Sequence, residues 1–213
     1  MTVLDQIAAA GVLPVVVLDD PAAAAPLGAA LVAGGLRCVE VTFRTTAAEE
    51  AIALLAADPD IVVGGGTIIE PAQVDRAVDA GARFVVSPGF DRRVVDRCRT
   101  LGVAVVPGLA TATEAMAAIR AGLDAVKLFP AGALGGLAMV RALAGPFPRL
   151  RFLPTGGIGE QDVASYLADP AVLAVGGSWV ADRSLVREGR FDEIERRART
   201  AADLVGAARR GAR

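Results

Sequence analysis

The 213-residue sequence has no histidine, two cysteines, a single lysine and only 4% aromatic residues. Without histidine, the usual imidazole zinc sites, the Ser-His-Asp triad and any histidine acid–base pair are excluded. Two cysteines, Cys38 and Cys98, are too few for a disulfide scaffold and read as reduced thiols. Neither sign of charge dominates: 22 basic residues stand against 24 acidic ones, for a net charge of −2. No basic surface for nucleic acid or an anionic membrane is therefore expected. A membrane-length apolar run is missing too. Ala22–Leu36 is interrupted by Pro26, Gly28, Gly34 and Gly35, and is too short to cross about 30 Å as a helix. The opening MTVLDQIAAAG carries Asp5 and no basic segment, so it does not read as a signal peptide, and a soluble, cytoplasmic protein is expected. Chemistry is left to carboxylate, amine, hydroxyl and backbone.

Hydrophobic residues make up 54% of the chain, ample for a large core, and the length fits one domain over residues 1–213. Short β-branched runs recur at near-even spacing: Pro14–Leu18, Cys38–Phe43, Ile61–Val63, Arg83–Val86, Val103–Val106, Ala125–Phe129, Arg151–Leu153 and Val172–Val175. Near-continuous hydrophobicity of this kind marks strands covered on both faces. Between them lie helical stretches such as Ala47–Ala57, Pro71–Ala80, Asp91–Leu101, Thr113–Ala121 and Gln161–Ala168. Helix-start chemistry marks several: Pro71 after Glu70, Asp91 after Pro88-Gly89, and Thr111 or Thr113 before Glu114. Eight strand signals alternating with helices predict an α/β fold, a (β/α)8 TIM barrel with an extra N-terminal helix over Thr2–Ala10 and a closing helix over Phe191–Ala208. An open doubly wound sheet is the runner-up, but Gly64-Gly65-Gly66-Thr67 lacks the glycine spacing of a dinucleotide loop.

In such a barrel, function gathers at the C-terminal ends of the strands. Lys127 sits inside the apolar run Ala125–Phe129, where a charged amine is costly unless paired or neutralised. It is also the one amine in a chain that writes every other basic residue as arginine, which cannot act as a neutral nucleophile. Glu40 and Arg44 share parity at the end of the second strand and are expected on one face. A buried Glu40–Lys127 ion pair could merely fill the core, yet such pairs add little net stability. The alternative is a nucleophilic amine with Glu40 as acid–base partner, which requires burial to outweigh the carboxylate's hold on the proton. Pro154-Thr155-Gly156-Gly157-Ile158 and Val175-Gly176-Gly177-Ser178-Trp179 follow adjacent strands and suggest a phosphate site of backbone N–H groups; tight turns are the simpler reading. Thr67 is either a hydroxyl donor or a helix cap, and Pro88 shapes the rim. Arg196–Arg199 and Arg209–Arg213 read as a solvated helix face and a frayed tail.

Together these pieces resemble a known family, the class I aldolases that cleave 2-keto-3-deoxy-6-phosphogluconate (KDPG). The resemblance rests on Val39-Glu40-Val41-Thr42-Phe43-Arg44-Thr45, Gly64-Gly65-Gly66-Thr67, Ser87-Pro88-Gly89, Val106-Pro107-Gly108, Lys127-Leu128-Phe129-Pro130-Ala131, Gly145-Pro146-Phe147 and the two glycine loops. It runs over about residues 11–180 and is looser in the final helix; Gly65 departs from a position where many members carry alanine. The resemblance implies a Schiff base on Lys127, proton transfer by Glu40, and a substrate carboxylate at Arg44 and Thr67. It implies a pocket wall at Phe129 and Pro88, and phosphate at Thr155, Gly156, Gly157, Gly176, Gly177 and Ser178. A phosphorylated 2-keto acid, a homotrimer, no metal and no cofactor are further implications. Rival readings are the same chemistry on 4-hydroxy-2-oxoglutarate (KHG) or on the galactonate epimer, a non-covalent phosphate-binding isomerase or decarboxylase, and a non-catalytic phospho-sugar binder.

Overall fold

A short helix α1, Val3–Ala10, opens the chain of the computed structural model, which describes residues 1–211. Thr2 caps it: its hydroxyl accepts from the Asp5 N–H while the Asp5 carboxylate accepts from the Thr2 N–H, a reciprocal capping box. Strand β1, Val12–Val16, follows within one turn. Strand and helix then alternate: α2 (Ala24–Ala33), β2 (Cys38–Thr42), α3 (Ala48–Ala56), β3 (Val62–Gly66), α4 (Pro71–Asp79), β4 (Phe84–Val86), α5 (Arg92–Thr100), β5 (Ala104–Val106), β6 (Gly108–Leu109), α6 (Ala112–Arg120), β7 (Ala125–Leu128), α7 (Leu137–Ala144), β8 (Arg151–Pro154), α8 (Val163–Leu167), β9 (Val175–Gly177), α9 (Arg183–Arg187) and α10 (Phe191–Gly211).

Every strand pairing is parallel. Six strands run in the order β5-β4-β3-β2-β1-β9 and three in the order β6-β7-β8. Parallel bridges Phe152↔Val172 and Thr155↔Gly176 join the second group to the β9 side of the first. The division between β5 and β6 falls at Pro107, which has no N–H to donate to a ladder. Its carbonyl still accepts from the Lys127 N–H at 2.8 Å. The result is an α/β fold with a curled, parallel sheet, whose strand tips point to one end.

The sequence-predicted strands are all present with shifts of a few residues. β1 begins at Val12 rather than Pro14, and the eighth run contributes Val172 only as a bridge before β9. Helix α2 tolerates Pro26 in its first turn, where no N–H partner is lost. It packs closely on α10, because a side chain at Gly34 would stand 2.7 Å from the Glu195 carbonyl. Two expectations for the arginine clusters need correction. Arg197 is half-buried, donating to the Trp179 carbonyl at 2.7 Å and pairing with Asp182 at 3.1 Å. Arg209 belongs to α10 and donates to the Ala8 and Ala9 carbonyls, satisfying the open end of α1. Residues 212–213 of the expected tail lie outside the described residues.

Candidate active site

β2 delivers Glu40 and β7 delivers Lys127 to the interior of the sheet. Residue 40 pairs in register with Val15 on one side and Gly64 on the other; residue 127 pairs with Gly108 and Leu153. Their side chains meet 87 positions apart in sequence, with Lys127 Nζ 3.3 Å from Glu40 Oε1. Glu40 is fully buried and Lys127 exposes 6% of its side chain. The amine also lies 5.4 Å from the centre of the Phe129 ring, which is 36% exposed and stands at the mouth of the site. Glu40 Oε2 is buried and has no hydrogen-bond partner among the described residues. A carboxylate with a free, buried oxygen beside an amine is costly as mere packing and is placed to accept or return a proton.

Thr67 follows β3 directly and adopts φ of 58°. A β-branched residue in the left-handed region is strained, and such strain gathers at ligand sites. Arg44 lies exposed in the turn after β2 and makes no ion pair among the described residues. Because β2 stops at Thr42, strand parity does not fix the direction of Arg44, and the expected shared face with Glu40 does not follow from the fold. Ser87 is buried and donates to the Gly89 carbonyl at 2.8 Å. That bond shapes the turn carrying the half-buried Pro88.

The two glycine loops sit side by side across the Thr155↔Gly176 bridge. Gly156 and Gly157 both have positive φ, 92° and 74°, which only glycine adopts cheaply. A side chain at Gly156 would also stand 3.2 Å from the Phe129 ring. The Gly156 carbonyl turns away to accept from Gly132 N–H at 2.8 Å. Neither the Gly157 nor the Ser178 N–H donates to a backbone carbonyl among the described residues, and Ser178 is exposed. Backbone N–H groups left open in turns can line an anion-binding concavity. Gly176 is buried with the rest of β9, and the side chain of Thr155 fills the space beside its Cα. Trp179 places its indole Nε1 over Gly177, where a Cβ would stand 2.7 Å away. Among the described residues no group of three or more His, Cys, Asp or Glu side chains could hold a metal ion, and no helix is long and apolar enough to cross a membrane.

The family model for KDPG and KHG aldolase matches residues 3–197. The chain belongs to this family. A 2-dehydro-3-deoxy-phosphogluconate aldolase from Treponema pallidum is 44% identical, over 97% of this chain and 99% of its own. A KHG/KDPG aldolase from Escherichia coli K12 is 40% identical, over 90% and 91%. Among solved structures, the KDPG aldolase from Legionella pneumophila, with pyruvate captured as a covalent carbinolamine, superposes with a TM-score of 0.89. That pair shares 38% identity over 93% of this chain and 97% of the other.

In this aldolase the sequence reading found both buried ionisable partners but missed two supporting features. Gly66 borders the Glu40 carboxylate, and Arg197 holds the loop after β9 from behind. The sequence shows Gly66 only as part of a glycine run and Arg197 only as part of a basic helix face; the role of each is defined by a contact with another element.

Proposed function

We propose that this protein is a class I aldolase that cleaves 2-keto-3-deoxy-6-phosphogluconate to pyruvate and glyceraldehyde 3-phosphate, with Lys127 forming the Schiff base. The observation carrying this reading is the buried pair of one amine and one half-satisfied carboxylate at 3.3 Å, with glycine loops at the same end of the sheet. Neutral Lys127 Nζ attacks the C2 carbonyl to give a carbinolamine, and loss of water gives an iminium. Glu40, directly or through water, takes the C4 hydroxyl proton. The C3–C4 bond then breaks, its electron pair moves into the iminium, and glyceraldehyde 3-phosphate departs. Glu40 returns that proton to C3 of the remaining enamine, and water releases pyruvate from the lysine. Arg44 and the Thr67 hydroxyl hold the substrate carboxylate, Phe129 and Pro88 wall the pocket, and the phosphate rests on Thr155, Gly156, Gly157, Gly177 and Ser178. Gly176 serves that site from behind, by leaving room for Thr155.

We further read the two strand groups as one closed (β/α)8 barrel forming a single domain, and the protein as a cytoplasmic homotrimer working without a cofactor. The carbinolamine captured in the Legionella aldolase supports the covalent route, and the Zymomonas mobilis aldolase solved with 3-phosphoglycerate, 39% identical, supports a phosphorylated substrate. The E. coli relative's description as a KHG/KDPG aldolase keeps 4-hydroxy-2-oxoglutarate as a second substrate. The deciding experiment is intact mass after incubation with pyruvate and sodium borohydride, beside Lys127→Ala. A reduced pyruvate adduct on the wild type alone is expected; its absence from folded wild-type protein would remove the Schiff-base reading.

A further inference from the structure

β3 ends in three glycines, and the two that face inward present no side chain to the barrel interior. Neighbouring strands fill the space. The Phe84 ring from β4 lies against Gly64, and the Glu40 side chain from β2 lies against Gly66. Gly65, between them, faces the opposite way, toward Ala77 of α4. Glu40 is opposite Gly64 in register, so its side chain runs forward along the strand and sets its carboxyl group over Gly66, two residues nearer the mouth. A Cβ at Gly66 would stand 2.7 Å from Glu40 Cδ and closer still to Cγ and Oε1. Since Glu40 is fully buried, its carboxylate has no solvent to retreat into.

We infer that Gly66 is a positioning residue for the proton-transfer step: its missing side chain is the space from which Glu40 reaches Lys127. The inference rests on the reading of Glu40 as the proton carrier. Any larger residue at 66 displaces the carboxylate by an ångström or more, and a misplacement on that scale costs about a hundredfold in rate.

Hydrogen exchange of the pyruvate methyl group in D2O, followed by NMR, reads proton transfer at C3 with no aldehyde present. In Gly66→Ala the exchange rate is expected to fall about a hundredfold, while the borohydride-trapped pyruvate adduct still accumulates to the wild-type extent. Glu40→Asp removes one methylene and draws the carboxyl group back from position 66. In that background Gly66→Ala is expected to cost less than about a tenth of its loss in the wild type, since Glu40→Asp relieves the contact that Gly66→Ala creates and the two changes are not additive. Equal losses in both backgrounds, or a Gly66→Ala rate within about threefold of wild type, would overturn the inference. If Gly66→Ala fails to fold alone but regains a cooperative thermal transition with Glu40→Asp, the contact is supported; unfolding in both backgrounds overturns it. Glu40→Gln separates the two levels of argument. Unchanged exchange in Glu40→Gln removes Glu40 from proton transfer and is a failure of the proposed function. Lost exchange there, with Gly66→Ala indifferent, is a failure of the Gly66 inference alone.

Discussion

Lys127 is where composition and position agree. An arginine could have supplied its charge to Glu40, yet the chain keeps an amine at that site and nowhere else. Lys127→Arg preserves the positive charge and removes the nucleophile, so turnover is expected to drop by at least about three orders of magnitude. Steady-state cleavage of KDPG checks this, and a drop of tenfold or less would mean that charge, not covalency, is the role of residue 127. The thiols make the opposite case. Burial pushes Cys38 up to about 11 and Cys98 up to about 12, so neither is a thiolate at neutral pH. A disulfide-exchange reagent is expected to titrate neither rapidly in the folded protein and both after denaturation; fast labelling of the native state would refute their burial. Lys127 and Glu40 were legible because a charged residue inside an apolar run needs a partner. Arg44 was legible as a residue but not as a direction, because its turn begins just where strand parity stops.

At the scale of elements, strands were read well because burial on both faces leaves an unbroken β-branched signature. The break between β5 and β6 was written at Pro107, but its consequence, a carbonyl lent to Lys127, depends on a strand distant in sequence. Helix α2 was hidden by Pro26 and Gly28, which look like breakers. The first sits in a tolerated turn, and a side chain at the second would stand 2.8 Å from Leu55. The glycine loops could be read as loops, whereas the difference between Gly156, in the left-handed region, and Gly176, packed on Thr155, is purely spatial. It leads to a prediction. Gly156→Ala puts an L-residue at φ of 92° and a methyl against the Phe129 ring, deforming the loop at a cost of about 1–2 kcal/mol. KM for KDPG is expected to rise about tenfold while pyruvate methyl exchange, which needs no phosphate, stays near wild type. Equal damage to both would place Gly156 in the scaffold and not in phosphate recognition.

For the whole molecule, the absence of histidine shapes the dependence of stability on pH. No side chain of that type titrates between pH 5 and 8, so stability across that range is expected to be nearly flat. The acid side is different, because carboxylates in several elements are held below their ordinary range. The Arg93 guanidinium and two backbone N–H groups bring Asp91, the cap of α5, to about 2. Arg196 and Arg197 bring Glu193 to about 2. The Arg183 hydrogen bond lowers Asp19, that of Arg141 lowers Asp169, and that of Ser184, with Arg197 behind it, lowers Asp182. A carboxylate depressed in the folded state contributes fully above its unfolded value and loses that contribution as pH falls through its folded one. The loss should therefore begin near pH 4.5 and run to about pH 2, as protons taken up by the unfolded chain pull the equilibrium over. Urea midpoints measured from pH 8 to 2.5 check both limbs. Most of these pairs lie near the surface, so 1 M salt should screen them and flatten the acid slope. Glu193→Gln is expected to flatten it further, and, because Arg197 also holds the Trp179 carbonyl, to loosen the loop after β9. A midpoint that falls between pH 8 and 6, or an acid limb indifferent to both salt and Glu193→Gln, would show that buried groups, not these ion pairs, govern the response to pH.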